Sequence, residues 1–339
     1  MTGTTRVAVL GLGYWGPNLV RNFHGNERAR LRVVCDARPE RAAAAARAYP
    51  GSEPLTDAQA AVAHPEVDAV VLATPVDTHF PLAKAAIAAG KHVLVEKPLA
   101  ACREHAEELI ELARRAGVVL MVDHVFLYTP AVRKIKEIVD RGDLGPLTFI
   151  NSVRVNLGQF QNDVNVVWDL APHDLAIVDY VVGRLPRSIS VFGAAHKDRQ
   201  LEDVAYVNLD FGEGLIAGFH VSWLSPIKVR QLTIGGADRC LVYNDVDPVE
   251  KIKVYDSSVQ VRPANLEDRR RLLVDYRSGD VWSPHLDRGE ALQEVVAHFL
   301  DCIESGATPL TDGEAGLRVV RILEAAQQSI KAQGGRITL

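Results

Sequence analysis

The chain has 339 residues, 47% of them apolar and 24% charged, which is enough for two domains and is typical of globular proteins. Its formal net charge is -5 and its basic residues are scattered, so the composition disfavours a nucleic-acid or membrane-surface partner, which needs a sustained basic patch. The densest basic run, Arg269 to Arg271, is flanked by acidic residues and is predicted to be a solvated face.

The four cysteines lie far apart in the sequence, at Cys35, Cys102, Cys240 and Cys302. Their spacing matches neither a zinc site nor a Cys-x-x-Cys redox pair. No signal segment precedes the first predicted strand, and no apolar run reaches the roughly 18 residues that a membrane span needs. A reducing cytoplasm is therefore the expected location.

Short apolar runs alternate with helical patterns in the first third of the chain. The predicted strands are Arg6 to Leu10, Leu31 to Cys35, Val67 to Ala73, His92 to Val95 and Val118 to Val122. The predicted helices are Tyr14 to Phe23, Pro39 to Ala48, Pro81 to Ala89 and Arg103 to Ala116. Apolar strands that alternate with helices indicate a parallel sheet covered on both faces. We therefore predict an α/β fold that begins with a doubly wound Rossmann domain over residues 1–122.

The pattern changes after residue 122. A helix, Ala131 to Arg141, precedes strands at Leu147 to Asn156, Ser188 to Ala194, Ala205 to Phe211, Leu215 to Ser225 and Arg230 to Gly235. Gly212-Glu213-Gly214 marks a hairpin between two of them. Further helices are predicted at about Asp169 to Val182, Gly289 to Glu304 and Glu314 to Lys331. Residues 123–339 are thus predicted to form an α+β domain with a large, mostly antiparallel open sheet, and the last helix is a candidate for packing back on the first domain.

Three glycines between the first strand and the first helix match G-x-G-x-x-G, at Gly11, Gly13 and Gly16. In a dinucleotide site the first allows a tight turn, the second lets the backbone approach a pyrophosphate, and the third lets helix and strand pack closely. The pyrophosphate sits on the amide groups at the start of the helix. The alternative is a plain glycine turn, but the strand and helix on either side favour a cofactor site.

An acidic residue, Asp36, ends the second predicted strand at the distance the fingerprint expects. Its carboxylate would accept hydrogen bonds from the adenosine ribose and repel a 2′-phosphate, which favours NAD. Arg38 and Arg41 lie close enough to leave NADP open. The alternative role for Asp36 is to cap the next helix.

Glu96-Lys97-Pro98 directly follows the strand His92 to Val95. Ligands gather at the carboxyl ends of the strands of an open parallel sheet, and the residue before a proline is disfavoured in a helix. Lys97 could therefore stabilise negative charge that develops on a substrate oxygen. The alternative is a surface lysine at a strand end.

Asp169 and His173 are four residues apart, which places them on one face of a helix. Pro172 is expected in the first turn, where its missing N–H matters least, with Asp169 at or near the N-cap. A carboxylate beside an imidazole orients it and stabilises its charged form, so His173 is a candidate general base. The alternatives are a simple N-cap aspartate and a surface histidine.

Together these motifs resemble the glucose–fructose oxidoreductase/inositol dehydrogenase (Gfo/Idh/MocA) family over essentially the whole chain. The resemblance also rests on Ala73-Thr74-Pro75 followed by His79. It implies catalysis by Lys97, Asp169 and His173, and a homo-oligomer, dimer or tetramer, formed through the open sheet. The cofactor-binding residues that the motifs and the resemblance together indicate are Gly11, Gly13, Tyr14, Trp15, Gly16, Asp36, Arg38, Thr74, Pro75, His79, Glu96 and Lys97.

Gly13-Tyr14-Trp15-Gly16-Pro17-Asn18 and the segment from Trp168 to Asp174 resemble the branch of that family that acts on nucleotide sugars. That resemblance implies oxidation of the 3-hydroxyl of UDP-N-acetylglucosamine or its uronic acid, or reduction of a keto-sugar. The substrate pocket is expected over the open sheet, and residues in segments expected to border it are Tyr128, Arg154, Asn156, Gln159 and Asn165. Arg154 is a candidate for gripping a phosphate or carboxylate.

Two other functions remain open from the sequence. An inositol or amino-cyclitol dehydrogenase would use the same catalytic set. A non-catalytic NAD-binding sensor would need the glycine loop and Asp36 but not Lys97 and His173 together, so their presence disfavours it. No metal site is expected.

Overall fold

The computed structural model describes residues 4–158, 160–161, 163–197, 200–262 and 273–339, with the backbone alone at 259–262 and 273–276. The basic run from Arg269 to Arg271 lies outside the described residues. The chain forms two compact units, Met1–Thr129 with Gly289–Glu324 and Pro130–Arg288 with Ala325–Leu339. Among the described residues, no helix has both the length and the apolar character of a membrane span.

This division differs in two respects from a boundary after residue 122. The first unit continues to Thr129, and it also takes in Gly289–Glu324 from the C-terminal part of the chain. Hydrogen bonds account for both differences. The amide of Val122 donates to the Thr311 carbonyl, the Thr311 hydroxyl donates to the Val122 carbonyl, and the Tyr128 hydroxyl lies 3.1 Å from the Thr311 hydroxyl.

The first unit is built on a six-stranded parallel sheet with the order β3-β2-β1-β4-β5-β6. Its strands are β1 Thr5–Leu10, β2 Ala29–Cys35, β3 Glu53–Leu55, β4 Ala69–Leu72, β5 His92–Glu96 and β6 Leu120–Asp123. Its helices are α1 Gly16–His24, α2 Pro39–Ala48, α3 Ala58–Val62, α4 Val76–Ala88, α5 Arg103–Ala116, a 3-10 turn Val125–Tyr128, α8 Ala291–Ser305 and most of α9 Gly313–Lys331. The predicted Rossmann sheet is confirmed. Its strand order reverses between β1 and β4, which is where open parallel sheets bind ligands.

The apolar runs of this sheet are buried as continuous blocks, and all four residues of β4 are buried. Two short elements, β3 and α3, were not predicted because neither is long enough to show a period. The predicted start of a helix at Pro81 is wrong. Helix α4 begins at Val76, after Pro75, and holds Pro81 in its interior, where a proline removes only one backbone hydrogen bond from a long helix.

The second unit is built on a nine-stranded sheet with the order β14-β13-β12-β11-β7-β10-β9-β8-β15. Its strands are β7 Leu147–Leu157, β8 Ser188–Ala194, β9 Val204–Gly212, β10 Leu215–Ser222, β11 Leu224–Gly236, β12 Cys240–Asn244, β13 Ile252–Arg262, β14 Leu273–Trp282 and β15 Ile337–Thr338, and its helices are α6 Pro130–Asp140, α7 Val166–Val182 and the end of α9. Among the strands of this sheet that the structure describes, only β7 and β10 pair in parallel. The predicted mostly antiparallel sheet is confirmed.

One face of this sheet is covered and the other is open. Helix α7 packs on β7, β9 and β10. Along β7 the side chains of Ser152 and Arg154 are buried towards α7, whereas Asn151 is exposed on the other face, as the twofold period of a strand requires. The β9–β10 hairpin turns at Gly212 to Gly214, all with positive φ, where the sequence predicts it.

Candidate active site

The glycine loop joins β1 to α1 and requires glycine at two of its three positions. Gly11 has φ +89°, and a Cβ there would lie 2.4 Å from the carbonyl oxygen of Ala73. A Cβ at Gly16 would lie 1.9 Å from the carbonyl oxygen of Gly11. A Cβ at Gly13 would meet only the Arg41 Nη1 atom, at 3.9 Å, so this backbone stays open to close approach. The loop is therefore closely packed at Gly11 and Gly16 and open to a pyrophosphate at Gly13, as in a dinucleotide-binding loop.

Helix α1 presents its N-terminus at the end of this loop. It begins at Gly16, its N-cap Trp15 supplies no side-chain cap, and its first turn holds no acidic residue. The neighbouring Tyr14 side chain is 81% exposed. Because the first amides of a helix lack intrahelical acceptors and carry partial positive charge, this end of α1 suits the pyrophosphate of NAD.

Asp36, directly after β2, anchors the glycine loop. Its Oδ2 atom accepts from the Leu12 amide at 2.7 Å, and its Oδ1 atom accepts from the Arg38 amide at 2.9 Å. The guanidinium of Arg41 lies 3.7 Å from Oδ2. Carboxylate oxygens have further lone pairs, so Asp36 can hold the loop and also accept a ribose hydroxyl. The sequence did not indicate the first role.

His79, on α4, ties the end of β4 to the segment after β5. Its ring is buried, with Nδ1 2.9 Å from the Pro98 carbonyl oxygen and Nε2 2.8 Å from the Thr74 carbonyl oxygen. Burial lowers the pKa of His79, although both carbonyls and Asp77 favour its charged form. The Thr74 hydroxyl accepts from the Thr78 hydroxyl at 2.7 Å. The structure thus places His79 where it positions the two loops that carry the predicted nicotinamide contacts.

A buried polar cluster lies at the carboxyl ends of β5 and β6. Glu96 and Asp123 are neighbours in the sheet register, and each carboxyl affects the pKa of the other. Asp123 Oδ2 accepts from the Trp15 indole at 3.4 Å, and Glu96 Oε2 accepts from the Lys97 amide at 3.2 Å. Glu96 Oε1, Asp123 Oδ1 and both ring nitrogens of His124 are buried without a hydrogen-bond partner in the part of the chain that the structure describes.

Burial decides the charge of this cluster. It raises the pKa of Glu96 well above its usual range, with the charge of Asp123 adding to the shift. It also raises the pKa of Asp123 to about 6 and lowers the pKa of His124 to about 4. Buried polar atoms without partners call for a ligand, an ion or a water. Donors and acceptors side by side suit an amide, and the carboxamide of nicotinamide is such a group, so these residues fit NAD.

Asp123→Asn and His124→Asn are expected to shift the pH dependence of stability in opposite directions between about pH 4 and 6. Asp123 has a folded-state pKa of about 6 against 3.8 as a free residue. Its contribution to the stability of the folded state is therefore full below pH 3.8 and is lost as the pH rises through 6. His124 has a folded-state pKa of about 4 against 6.5, so stability is lost as the pH falls from 6.5 towards 4. Each effect on the free energy of unfolding is on the order of 3 kcal/mol.

The measurement is the melting temperature of each apo variant, relative to the native chain, across that pH range. Asp123→Asn should gain stability relative to the native chain as the pH rises, and His124→Asn should lose it. Parallel trends in the two variants would contradict the assigned protonation states.

Asp169 and His173 lie on α7, one turn apart. The helix begins earlier than predicted, at Val166, because Asn165 caps it by accepting from two backbone amides. Asp169 is therefore not the N-cap, and Pro172 lies inside the helix rather than in its first turn. Asp169 Oδ2 accepts from the indole of Trp223 at 2.9 Å, and this bond fixes the carboxylate.

Lys97 directly follows β5 and is half-buried, and its peptide bond to Pro98 is cis. Its charge opposes the effect of burial on the pKa values of Glu96 and Asp123 and adds to the lowering at His124. An ammonium in this place lies at the ligand-binding end of the parallel sheet.

Two family models match most of the chain. Residues 5–124 match the oxidoreductase family with an NAD-binding Rossmann fold, and residues 132–242 match the Gfo/Idh/MocA C-terminal domain. The chain belongs to the Gfo/Idh/MocA family. Its first unit carries the NAD-binding Rossmann domain of that oxidoreductase family.

Relatives of this Gfo/Idh/MocA chain include sugar and cyclitol dehydrogenases. The chain is 28% identical to UDP-N-acetylglucosamine 3-dehydrogenase from Acidithiobacillus ferrooxidans, over 96% of its own length and 97% of the relative's. It is 25% identical to inositol 2-dehydrogenase from Rhizobium meliloti, again over 96% and 97%. A solved structure of the Acidithiobacillus enzyme superposes with a TM-score of 0.81 at 25% identity, covering 97% of this chain and 99% of that one.

Three residues of this Gfo/Idh/MocA chain that were predicted to border the substrate bind other parts of the protein instead. Arg154 is 3% exposed and donates from Nε and Nη2 to the two carboxylate oxygens of Asp174, at 2.7 and 2.8 Å. Asn165 caps α7, and its amide donates to Glu202 at 2.7 Å. Tyr128 is buried with its hydroxyl at Thr311. These contacts support structural roles. The fork of the Arg154 guanidinium binds the Asp174 carboxylate, so Arg154 is not proposed to bind an anionic ligand.

The other two residues predicted to border the substrate are Asn156 and Gln159. Asn156 is half-buried on β7, and Gln159 lies outside the described residues. The substrate pocket was expected over the open sheet, and this stays a prediction. Helix α7, which carries Asp169 and His173, packs on one face of that sheet, and the buried Arg154 side chain of β7 points towards α7.

Proposed function

We propose that this protein oxidises the 3-hydroxyl of a nucleotide-linked sugar similar to UDP-N-acetylglucosamine, or reduces the corresponding ketone. The observation that carries the proposal is the placement of Asp169 and His173 one turn apart on α7, with Asp169 fixed by Trp223, in a chain with an NAD-binding domain. Support for the sugar class comes from the similarity to UDP-N-acetylglucosamine 3-dehydrogenase.

His173 is proposed to act as the general base. It removes the proton of the sugar hydroxyl. NAD, when bound by the first unit, would supply the acceptor for the hydride of the carbon that bears this hydroxyl. Asp169 orients the imidazole and stabilises its charged form. The Trp223 indole, which is 1% exposed, holds the carboxylate in one orientation at 2.9 Å, and this support was not evident from the sequence.

Lys97 is proposed to stabilise the alkoxide that develops on the substrate oxygen. The ammonium follows β5 next to the Glu96 and Asp123 carboxyls. Their raised pKa values keep this pair from being fully ionised near neutral pH, so Lys97 is not neutralised by two full negative charges.

The proposed function is tested by mixing the native chain and NAD with UDP-N-acetylglucosamine, its uronic acid and myo-inositol, and following the absorbance of NADH. NADH should form with a nucleotide sugar and not with myo-inositol. The alternative function, a cyclitol dehydrogenase, is favoured by the similarity to inositol 2-dehydrogenase. NADH formation with myo-inositol and with neither nucleotide sugar would establish that alternative instead.

We also propose that the open face of the second sheet joins copies of this chain into a homo-oligomer. The face carries large side chains that are 41–60% exposed, namely Phe149, Phe192, Tyr206 and Ile216. Apolar patches of this kind on a sheet commonly mark interfaces. Light scattering should give a dimer or tetramer for the native chain and a smaller species for Tyr206→Asp.

A further inference from the structure

A second polar cluster lies in the second unit, on the face of the sheet that α7 covers. We call it the Arg230 cluster; its members are Arg230 on β11, Tyr243 on β12, and Asp245 and Lys251 in the connection to β13. Arg230 is the cross-strand neighbour of Arg154, and cross-strand neighbours point to the same face. The Asp245 amide donates to the Arg230 carbonyl at 2.9 Å, which places Asp245 beside Arg230.

Asp245 is the centre of the Arg230 cluster. Its Oδ1 atom accepts from the Tyr243 hydroxyl at 3.0 Å and from Lys251 Nζ at 3.3 Å, and its Oδ2 atom lies 3.4 Å from Arg230 Nη1. The Arg230 Nε atom is buried and has no hydrogen-bond partner among the described residues. The Arg230 and Lys251 side chains are 33% and 34% exposed, so a ligand can reach both.

The cluster carries one more positive charge than negative. Burial raises the pKa of Asp245, but Lys251, Tyr243 and Arg230 outweigh it and lower the pKa overall, so this carboxyl is ionised. Burial and Asp245 raise the pKa of Tyr243, so the phenol is neutral. Two cations therefore face one anion among the described members. The adjacent pair of Arg154 and Asp174 has no net charge, so it does not supply the negative charge that would neutralise the cluster.

We propose that Arg230, assisted by Lys251, binds an anionic group of the substrate, either a phosphate or a carboxylate. An arginine fork matches both groups, and the exposed third of the Arg230 side chain leaves part of its guanidinium open to a ligand. The position is right for a substrate that His173 acts on, because Arg230 neighbours Arg154, whose partner Asp174 directly follows His173 in α7. The inference rests on the proposed function and adds a specific anion subsite to it.

The test compares Arg230→Gln with Arg239→Gln. Arg239 lies just beyond the other end of β11, is 37% exposed and is also paired with an aspartate, Asp256, so it is a matched control. Binding of UDP and, separately, of glucuronate is measured by calorimetry for the native chain and both variants. The two probes distinguish a phosphate source from a carboxylate source.

Arg230→Gln should weaken binding of one probe by about tenfold to a hundredfold, which is the range for losing a charged hydrogen bond, and Arg239→Gln should leave it unchanged. Unchanged affinity in Arg230→Gln, equal losses in both variants, or no binding of either probe by the native chain would overturn the subsite. Because binding is measured without turnover, this result is separate from that of the substrate panel. A loss of probe binding confined to Arg230→Gln would stand even if no nucleotide sugar were oxidised.

Discussion

His173→Ala is expected to lower kcat by at least about a hundredfold while NAD binding is retained, since general-base help typically contributes two to four powers of ten. His173 lies on α7 in the second unit, and the NAD-binding domain lies in the first. The substitution should therefore remove proton transfer without disturbing the cofactor site. The measurement is steady-state kcat with the substrate that the panel identifies, together with the Kd for NAD by calorimetry.

The matched control is His196→Ala. His196 also pairs with a carboxylate, with its Nδ1 atom 2.7 Å from Asp203 Oδ1, but its side chain is 56% exposed. This variant should keep native turnover. An unchanged kcat in His173→Ala, or an equal loss in both variants, would remove His173 from the mechanism.

Gly16→Ala is expected to lower both the stability of the first unit and its affinity for NAD. The added Cβ would lie 1.9 Å from the Gly11 carbonyl oxygen. The backbone of Gly11 cannot move away, because it already packs against the backbone of Ala73: a Cβ added at Gly11 would lie 2.4 Å from the Ala73 carbonyl oxygen. The loop must move, and with it the Leu12 amide that Asp36 holds. A clash with backbone exceeds the usual range for overpacking, so we expect a loss of more than about 3 kcal/mol and a Kd raised by more than about a hundredfold.

Gly13→Ala separates the two effects. Its Cβ would meet only a flexible arginine atom, Arg41 Nη1, at 3.9 Å, so the apo protein should melt as the native chain does. The methyl group would still stand where the pyrophosphate approaches the backbone, and NAD affinity should fall. Calorimetry of the apo variants and NAD titration measure both quantities. A native melting temperature for Gly16→Ala would contradict the packing argument.

The first sheet could be predicted because its signals are local. Within the predicted strand Val67 to Ala73, the residues from Ala69 onwards are all apolar, and a short apolar run between turn signals is typical of a buried strand. The second sheet was predicted less completely, and β12, β13, β14 and the short β15 were missed. Strands with one open face alternate polar and apolar residues, and the period is harder to recognise in short segments. The start of α7 was misplaced because its cap, Asn165, lies four residues before the aspartate that looked like one.

The candidate site shows the same limit. The glycine loop, Asp36 and Lys97 follow strands in a recognisable order, so their positions could be predicted. The anchoring of Leu12 by Asp36 and the pairing of Glu96 with Asp123 join residues 24 and 27 apart, and no local pattern encodes such contacts. Asp123 and His124 left one signal, because both are polar residues at the end of a buried strand, where ligands of parallel sheets bind.

The most direct test of the central claim follows deuterium from C3 of the sugar to the nicotinamide. The native chain is given NAD and UDP-N-acetylglucosamine labelled with deuterium at C3, and the NADH that forms is examined by mass spectrometry. The account predicts NADH that carries the deuterium, together with a 3-keto nucleotide sugar. NADH that forms without deuterium would contradict hydride transfer from C3, and so would the absence of NADH when the same preparation binds NAD.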